Sequence, residues 1–467
     1  MVLVGVLVAS SVESVACGGD TDGGVCASPD ITHRVGLERQ ESLSGPSDVS
    51  SLFGGAVAIA ADGETIVVGA PDDAGGGLGV GSDPTDRSKP GAGAAYVFAR
   101  AGSRWAQQAY LKPSTGYGAE HFGAVLSLSA DGNTLVVGVP EDSNPDRGGA
   151  SSRESGSAFV FVRINGTWRE RSYLRASRAA DRTHFGASVA VSADGSVIVV
   201  GAPEDSAGVG APIACESYDV LRPSRVCEGA VFVFEGDAGR GWSETAILEV
   251  PTLSQVPHHI GHRTTIADDG RTVVTSGLRT IHAFVRSDRW SQEAELVPPD
   301  DARDASPLWA LVASGDARTI VTGRFARESD HVSIFTRGAG AIVPEGELRA
   351  RQRRPEANFG RALALSRDGV RLAVGAPYDD DDSMGVNPSR CGQGLAGAGT
   401  TYLFAREIPT STSWLEIAYI KPASPQVQMF FGGAVGLDGN GSTLVVGAPR
   451  APGGGGPAFP GTVDVFR

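Results

Sequence analysis

The sequence predicts an all-β fold, a seven-bladed β-propeller built from four-stranded blades. Three observations predict it. A hairpin phrase recurs seven times, each copy is followed by a further pair of strand patterns, and the two chain ends each carry part of one blade. The clearest copy, residues 184–206, reads HFGASVAVSADGSVIVVGAPEDS. Alternation of small and apolar residues through Val189 and Val191 marks one strand, and the apolar run 197–200, bounded by Gly and Pro, marks a buried second one. Ala193-Asp194-Gly195 between them suits a three-residue hairpin with Gly195 in the left-handed conformation.

Aligned on Gly201, the copies fall at Gly69, Gly138, Gly201, Ser276, Gly323, Gly375 and Gly447. Their turns are Asp62-Gly63, Asp131-Gly132, Asp194-Gly195, Asp269-Gly270, Asp316-Ala317, Asp368-Gly369 and Asn440-Gly441. Six open on an aromatic or apolar residue before Gly, as in Phe53-Gly54 and Ile260-Gly261; the fifth has Pro307-Leu308. A third strand with alternating aromatics follows, such as Tyr96-Val97-Phe98 or Phe232-Val233-Phe234. The fourth places apolar residues four and six positions after a Trp, as in Trp242, Ala246, Leu248. Such modules stack on a shared core, so 467 residues need only one domain.

Taken in order, residues 1–17 read as a secretion or lipoprotein signal, with an apolar run leading through Ser14-Val15-Ala16 to Cys17, the expected lipidation site. The alternative is an ordinary N-terminal tail. Residues 18–30 read as a flexible tether and 31–467 as the propeller. Ile31, Val35 and Leu37 repeat the fourth-strand spacing, while the chain stops at a third strand, 463–467. Segment 31–37 is therefore expected to complete the last blade and remove the exposed edges. The blades fall at about 52–113, 121–177, 184–251, 259–299, 306–351, 358–424 and 430–467 with 31–37. Blade four, with His262, Arg263 and two threonines in place of small or apolar residues, and blade five read as degenerate.

The connection after the second strand is long in blades one (72–91), two (141–156), three (204–229) and six (378–397). These loops leave from the face that carries the Phe-Gly and Gly-Ala-Pro segments, opposite the uniformly short turns. One decorated face implies a binding face. Acidic residues open the same loops: Asp72-Asp73, Glu141-Asp142, Glu204-Asp205 and, extended, Asp379, Asp380, Asp381 and Asp382. They can be solvated loop starts that cap backbone amides, or a ring of carboxylates for a cationic ligand or, weakly at 379–382, a metal. Cys215 and Cys227 share one loop and form the natural disulfide, leaving Cys26 with Cys391 by elimination.

A formal net charge of −14 argues against nucleic acid, and no run of eighteen apolar residues spans a membrane. The glycine-rich stretches 75–81 and 453–456 lack a phosphate-cradle motif, and HExxH, nucleophile-elbow and CxxC motifs do not occur. His258, His259 and His262 can be a zinc cluster, yet His259 aligns with His121 and His184 and reads as structural. Asn165-Gly166-Thr167 and Asn440-Gly441-Ser442 match a glycosylation acceptor but occupy hairpin turns.

The recurring Phe-Gly and Gly-Ala-Pro phrases resemble FG-GAP repeats, known from integrin α propellers and from bacterial surface proteins. The resemblance implies a seven-bladed propeller over nearly the whole chain. The integrin type carries calcium loops in its first turns. Here turns such as Ala130-Asp131-Gly132-Asn133 supply one carboxylate each against the six to eight oxygens calcium takes, so no cofactor is expected. Asp438, Asn440 and Ser442 keep part of the calcium spacing. The bacterial likeness suits a secreted or lipid-anchored, monomeric binding or adhesion scaffold whose partner is a protein or glycan at the cell surface. The rival readings are an enzyme, lyase or hydrolase, using the central funnel, and a structural envelope component.

Overall fold

The computed structural model describes residues 36–45, 50–115, 120–143, 154–178, 182–205, 228–250, 259–296, 308–324, 331–338, 340–350, 355–388, 394–452 and 459–467. Among them lie seven antiparallel four-stranded sheets, the expected all-β seven-bladed ring. Each blade runs outward in chain order; in blade three the strands are Ser188–Val191, Val197–Ala202, Ala230–Asp237 and Gly241–Leu248. The first strands of successive blades are Ala56–Ile59, Val125–Leu128, Ser188–Val191, Arg263–Ile266, Leu308–Ala313, Ala362–Leu365 and Ala434–Leu437. Each touches the next in a closed circle around the axis.

Residue pattern explains this architecture. The second strands of blades one to three are buried at every residue, which is why they read as unbroken apolar runs rather than alternating ones. Blades then pack face to face, and the buried apolar side chains divide into seven clusters, each shared by two neighbouring blades. An open array of seven would have six such interfaces. The glycine of each Gly-Ala-Pro sits against the glycine of the next blade's Phe-Gly pair: a Cβ on Gly201 would overlap the Gly261 carbonyl oxygen, and one on Gly69 the Gly123 carbonyl oxygen. Only glycine permits that approach.

On the short-turn face the hairpins join hands through the backbone. Ala61 N–H donates to Ala130 O (2.9 Å), Ala130 to Ala193 (3.0 Å), Ala193 to Asp268 (3.1 Å), Asp268 to Gly315 (2.7 Å), Gly315 to Arg367 (2.7 Å), Arg367 to Gly439 (3.0 Å) and Gly439 back to Ala61 (3.0 Å). The turn carboxylates serve their own hairpins. Asp194 Oδ1 accepts from Ser192 Oγ (2.7 Å) and Ser196 N (3.0 Å), and Asp131 Oδ1 from Ser129 Oγ (2.5 Å) and Asn133 N (2.9 Å).

The N-terminal strand completes the last blade, but not in the expected frame. The strand that pairs with Thr462–Phe466 is Arg39–Ser44, with Leu43 opposite Val463 and Glu41 opposite Val465. In blade three Leu248 faces Val231 and Ala246 faces Val233, so Leu37, Glu41 and Leu43 occupy the places of Trp242, Ala246 and Leu248. An acid at the small-apolar position hid the match and moved the reading six residues early, to Ile31, Val35 and Leu37. Glu41 is tolerated because its Oε2 accepts the backbone N–H of Trp105 in blade one (2.8 Å). Ile31 and Val35 lie outside the described residues, as do the signal and tether 1–30. Among the described residues no helix is long and apolar enough to cross a membrane.

Candidate functional site

Each repeat can be written X-Phe-Gly-Y … Gly-Ala-Pro-Z, and the constant letters position the variable ones. The Phe is buried against the third strand: the Phe185 ring meets Phe232 and Phe234 edge-on, with centroids 5.3 and 6.0 Å away, and Phe122 meets Phe159 and Phe161 at 5.8 and 6.0 Å. Residue X adopts the left-handed conformation whatever its type, with φ of 53° at Leu52, 51° at His121, His184 and His259, 53° at Asn358 and 56° at Phe430. The Y amide closes this turn onto the X carbonyl, for example Ala187 N to His184 O at 3.0 Å. The buried ring and the tight turn leave X and Z side by side on the long-loop face.

In blades one to three these positions form a chain of histidines and carboxylates. His121 Nδ1 lies 3.2 Å from Asp72 Oδ1 and its Nε2 3.9 Å from Glu141 Oε2. His184 Nδ1 lies 3.1 Å from Glu204 Oε2 and its Nε2 3.7 Å from Glu154 Oε2. The Glu204 bond raises the His184 pKa above the ordinary imidazole value; burial opposes the rise, and Glu204, Glu154 and Glu141 add to it through space. His259 Nδ1 sits 3.2 Å from the Pro203 carbonyl, matching His121, 3.3 Å from that of Pro71. In blades six and seven the same positions turn aromatic and basic. Tyr378 and Phe430 rings stand 4.9 Å apart, with the Arg450 guanidinium 5.4 Å from the Phe430 ring.

The acidic pairs divide into two roles. Asp72, Glu141 and Glu204, at position Z, belong to the face. Asp73, Asp142, Asp205 and Asp379 are buried. Asp73 accepts from Tyr96 Oη (2.8 Å), Tyr110 Oη (2.7 Å) and Gly75 N (2.9 Å), and Asp142 from Tyr173 Oη (2.8 Å). Asp205 takes Arg178 Nε at 3.3 Å and Asp379 takes Lys421 Nζ at 3.0 Å. Their backbone carbonyls also clamp the far ends of the long loops, accepting from Gly93, Gly156, Gly229 and Gly399 at 2.9 to 3.0 Å. These four aspartates anchor loops and are buried rather than exposed on the face. Asp381 is buried as well and accepts from Tyr419 Oη (3.0 Å), Asp380 is half-buried and Asp382 exposed. Among the described residues no group of three or more His, Cys, Asp or Glu is placed to hold a metal ion. Cys17, Cys26, Cys215, Cys227, Cys391 and His258 lie outside the described residues.

Position Y, which the sequence reading passed over, carries a second arrangement. It is Gly55, Ala124, Ala187 and Gly433 in blades one, two, three and seven, but His262, Trp309 and Arg361 in blades four, five and six. The next residue adds Arg263 where other blades have Ala, Val or Ser. Arg263 Nε donates to the Trp309 carbonyl (2.8 Å), and the Arg361 guanidinium lies 3.8 Å from the Trp309 ring centroid. Burial, aided by Arg263 and His259, lowers the His262 pKa to about 3. Its signal in the sequence was the run of large side chains at one normally small repeat position, which reads as degeneracy in blades four and five and draws no notice at Arg361 in blade six.

An FG-GAP repeat family model matches residues 105–161 and 168–212. No curated protein sequence matches the chain. Among solved structures, the β-propeller domain of Cps50 (Swd1) from Myceliophteria thermophila aligns with a TM-score of 0.53 at 9% identity, covering 91% of this chain and 99% of that one. The WD40 repeats of RRP9 align with a TM-score of 0.53 at 11% identity, covering 94% and 100%. The periplasmic gluconolactonase PpgL of Pseudomonas aeruginosa aligns at 0.48 and 17% identity, covering 79% and 86%. At these identities the first two likenesses concern the fold alone. The repeats matched at 105–161 and 168–212, the Phe-Gly phrase in five of the seven blades and the closed ring of seven sheets identify this chain as an FG-GAP repeat β-propeller.

Proposed function

We propose that this propeller is a binding scaffold, and that its ligand face is the one bearing positions X and Z and the long loops. The observation that carries the reading is the circuit of X and Z side chains. Identical Phe and Gly residues build the turn in most blades, yet the two positions they project differ from blade to blade and separate into an acidic, histidine-rich arc and an aromatic, basic arc. Residues that serve the fold repeat around the ring, whereas X and Z repeat only within an arc, with His at X in blades two to four and Glu at Z in blades two and three. Asp72, His121, Glu141 and Glu154 each keep 40% or more of their side-chain surface exposed, so the arc is open to a partner. Its field attracts basic patches at short range and weakens with salt. The secretion reading of residues 1–17 directs this face to proteins or glycans outside the cell.

The test replaces Asp72, Glu141 and Glu204 with Asn or Gln together with His121→Gln and His184→Gln, and compares Glu64→Gln with Arg318→Gln on the short-turn face. Partners recovered on surface-protein pull-down and glycan arrays should lose affinity only with the first set. Equal loss from both faces removes the case for this one.

A further inference from the structure

We propose that Arg361 and Arg263, at the rim of the first-strand circle in blades four to six, form a binding site for an oxyanion, a carboxylate or phosphate group carried by a small ligand. Arg361 is half-buried and stacked on Trp309, yet among the described residues its guanidinium makes no hydrogen bond or ion pair. Three other buried or partly buried arginines, by contrast, have such partners. Arg406 reaches Glu345 (3.3 Å) and Gly369 O (2.7 Å), Arg337 reaches Glu293 (2.6 Å), and Arg163 reaches Asn133 and Thr65 (both 3.0 Å). A partly desolvated ion without a counter-charge is unfavourable, and a second cation beside it makes it more so. Burial, and then Arg263 through space, lower the Arg361 pKa to about 10, with Tyr378 opposing; both arginines meet at Trp309, one on its carbonyl and one on its ring. A bound oxyanion offsets both penalties, and a guanidinium fork matches it with paired hydrogen bonds.

The placement points the same way. Trp309 stands at position Y of blade five, where four other blades have Gly or Ala; its backbone is tied to Arg263 and its ring covered by Arg361. Three consecutive blades thus substitute large side chains at the inner rim, on the face where the circle of first strands opens. Because the whole chain carries a charge of −14, long-range attraction does not collect anions here, and affinity depends on the local pair. The site shares the proposed ligand face but is tested apart from it.

The experiment titrates the full chain with inorganic phosphate and, separately, with glucuronate, against chloride at equal ionic strength, by calorimetry. Saturable binding of one probe is expected, weakened at least tenfold by Arg361→Gln and by Arg263→Gln and unchanged by Arg318→Gln on the opposite face; the probe that binds tells phosphate from carboxylate. Loss of partner binding without loss of anion binding touches the scaffold reading only. A second measurement guards against misfolding: without anion, Arg361→Met, which keeps the stem on Trp309, should melt at or above the wild-type temperature. Absence of saturable binding by either probe, equal binding by Arg361→Gln, or a melting temperature several degrees lower for Arg361→Met overturns the proposal, the last because a paired structural arginine behaves that way.

Discussion

Leu43→Ala tests how the ring closes. Leu43 is 4% exposed and belongs to the apolar cluster between blades seven and one, with Phe53, Ile66, Val68, Val445 and Val463. The substitution leaves the backbone pairing of Arg39–Ser44 intact, so strand-ordering entropy does not change. What changes is burial and the cavity left behind, worth about 2–5 kcal/mol for a buried Leu. Unfolding entropy of roughly 2.1 cal/mol/K per residue gives a chain of this size about 1 kcal/mol/K, so the melting temperature should fall by about 2–5 °C. The control is Ile31→Ala, which the alternative frame puts at the position that the observed register gives to Leu37. Melting should be followed by near-ultraviolet circular dichroism and by calorimetry, with Glu41→Ala alongside, which removes the acceptor for Trp105 N–H. A drop of several degrees for Ile31→Ala with none for Leu43→Ala would refute the register.

Further expectations concern the blade contacts and the loop anchors. Gly201→Ala, which drives a Cβ into the Gly261 carbonyl, should cost about 1–3 kcal/mol, whereas Gly346→Ala, with open space around it, should be neutral or slightly stabilising in urea melts. Tyr110→Phe should cost about 1–3 kcal/mol by depriving buried Asp73 of a donor, and limited proteolysis should then cut first within 74–92. Because His184 has a raised pKa when folded, its contribution is fully present below about pH 6.5 and is lost as pH rises through the raised value. Melting temperature between pH 5.5 and 8.5 should therefore decline less in His184→Gln than in the wild type, and an identical decline would exclude the Glu204 pairing as its cause.

Much of this protein was legible in the chain because a repeat writes the same local physics many times over. The apolar run 197–200 and the Asp194-Gly195 turn define a hairpin without reference to anything distant, and seven copies of it leave a propeller as the economical closed solution. The face was legible for the same reason, since strand direction alternates and the loop lengths lie on one side. What lay beyond the sequence depends on neighbours from other blades. Asp72 and Asp73 are chemically alike, yet one faces solvent and the other lies under two tyrosine hydroxyls, because only the packed third and fourth strands of blade one bring Tyr96 and Tyr110 together. Leu37, Glu41 and Leu43 became a frame only through pairing with a strand more than four hundred residues away, which made an acid at a small-apolar position acceptable. Arg263, Trp309 and Arg361 are separated by dozens of residues; the first two stand in blades that read as degenerate, and Arg361 in one that does not. Ring closure sets their blades side by side, and that adjacency is a property of the tertiary structure, since no local pattern can encode which side chain of the next blade a residue will meet.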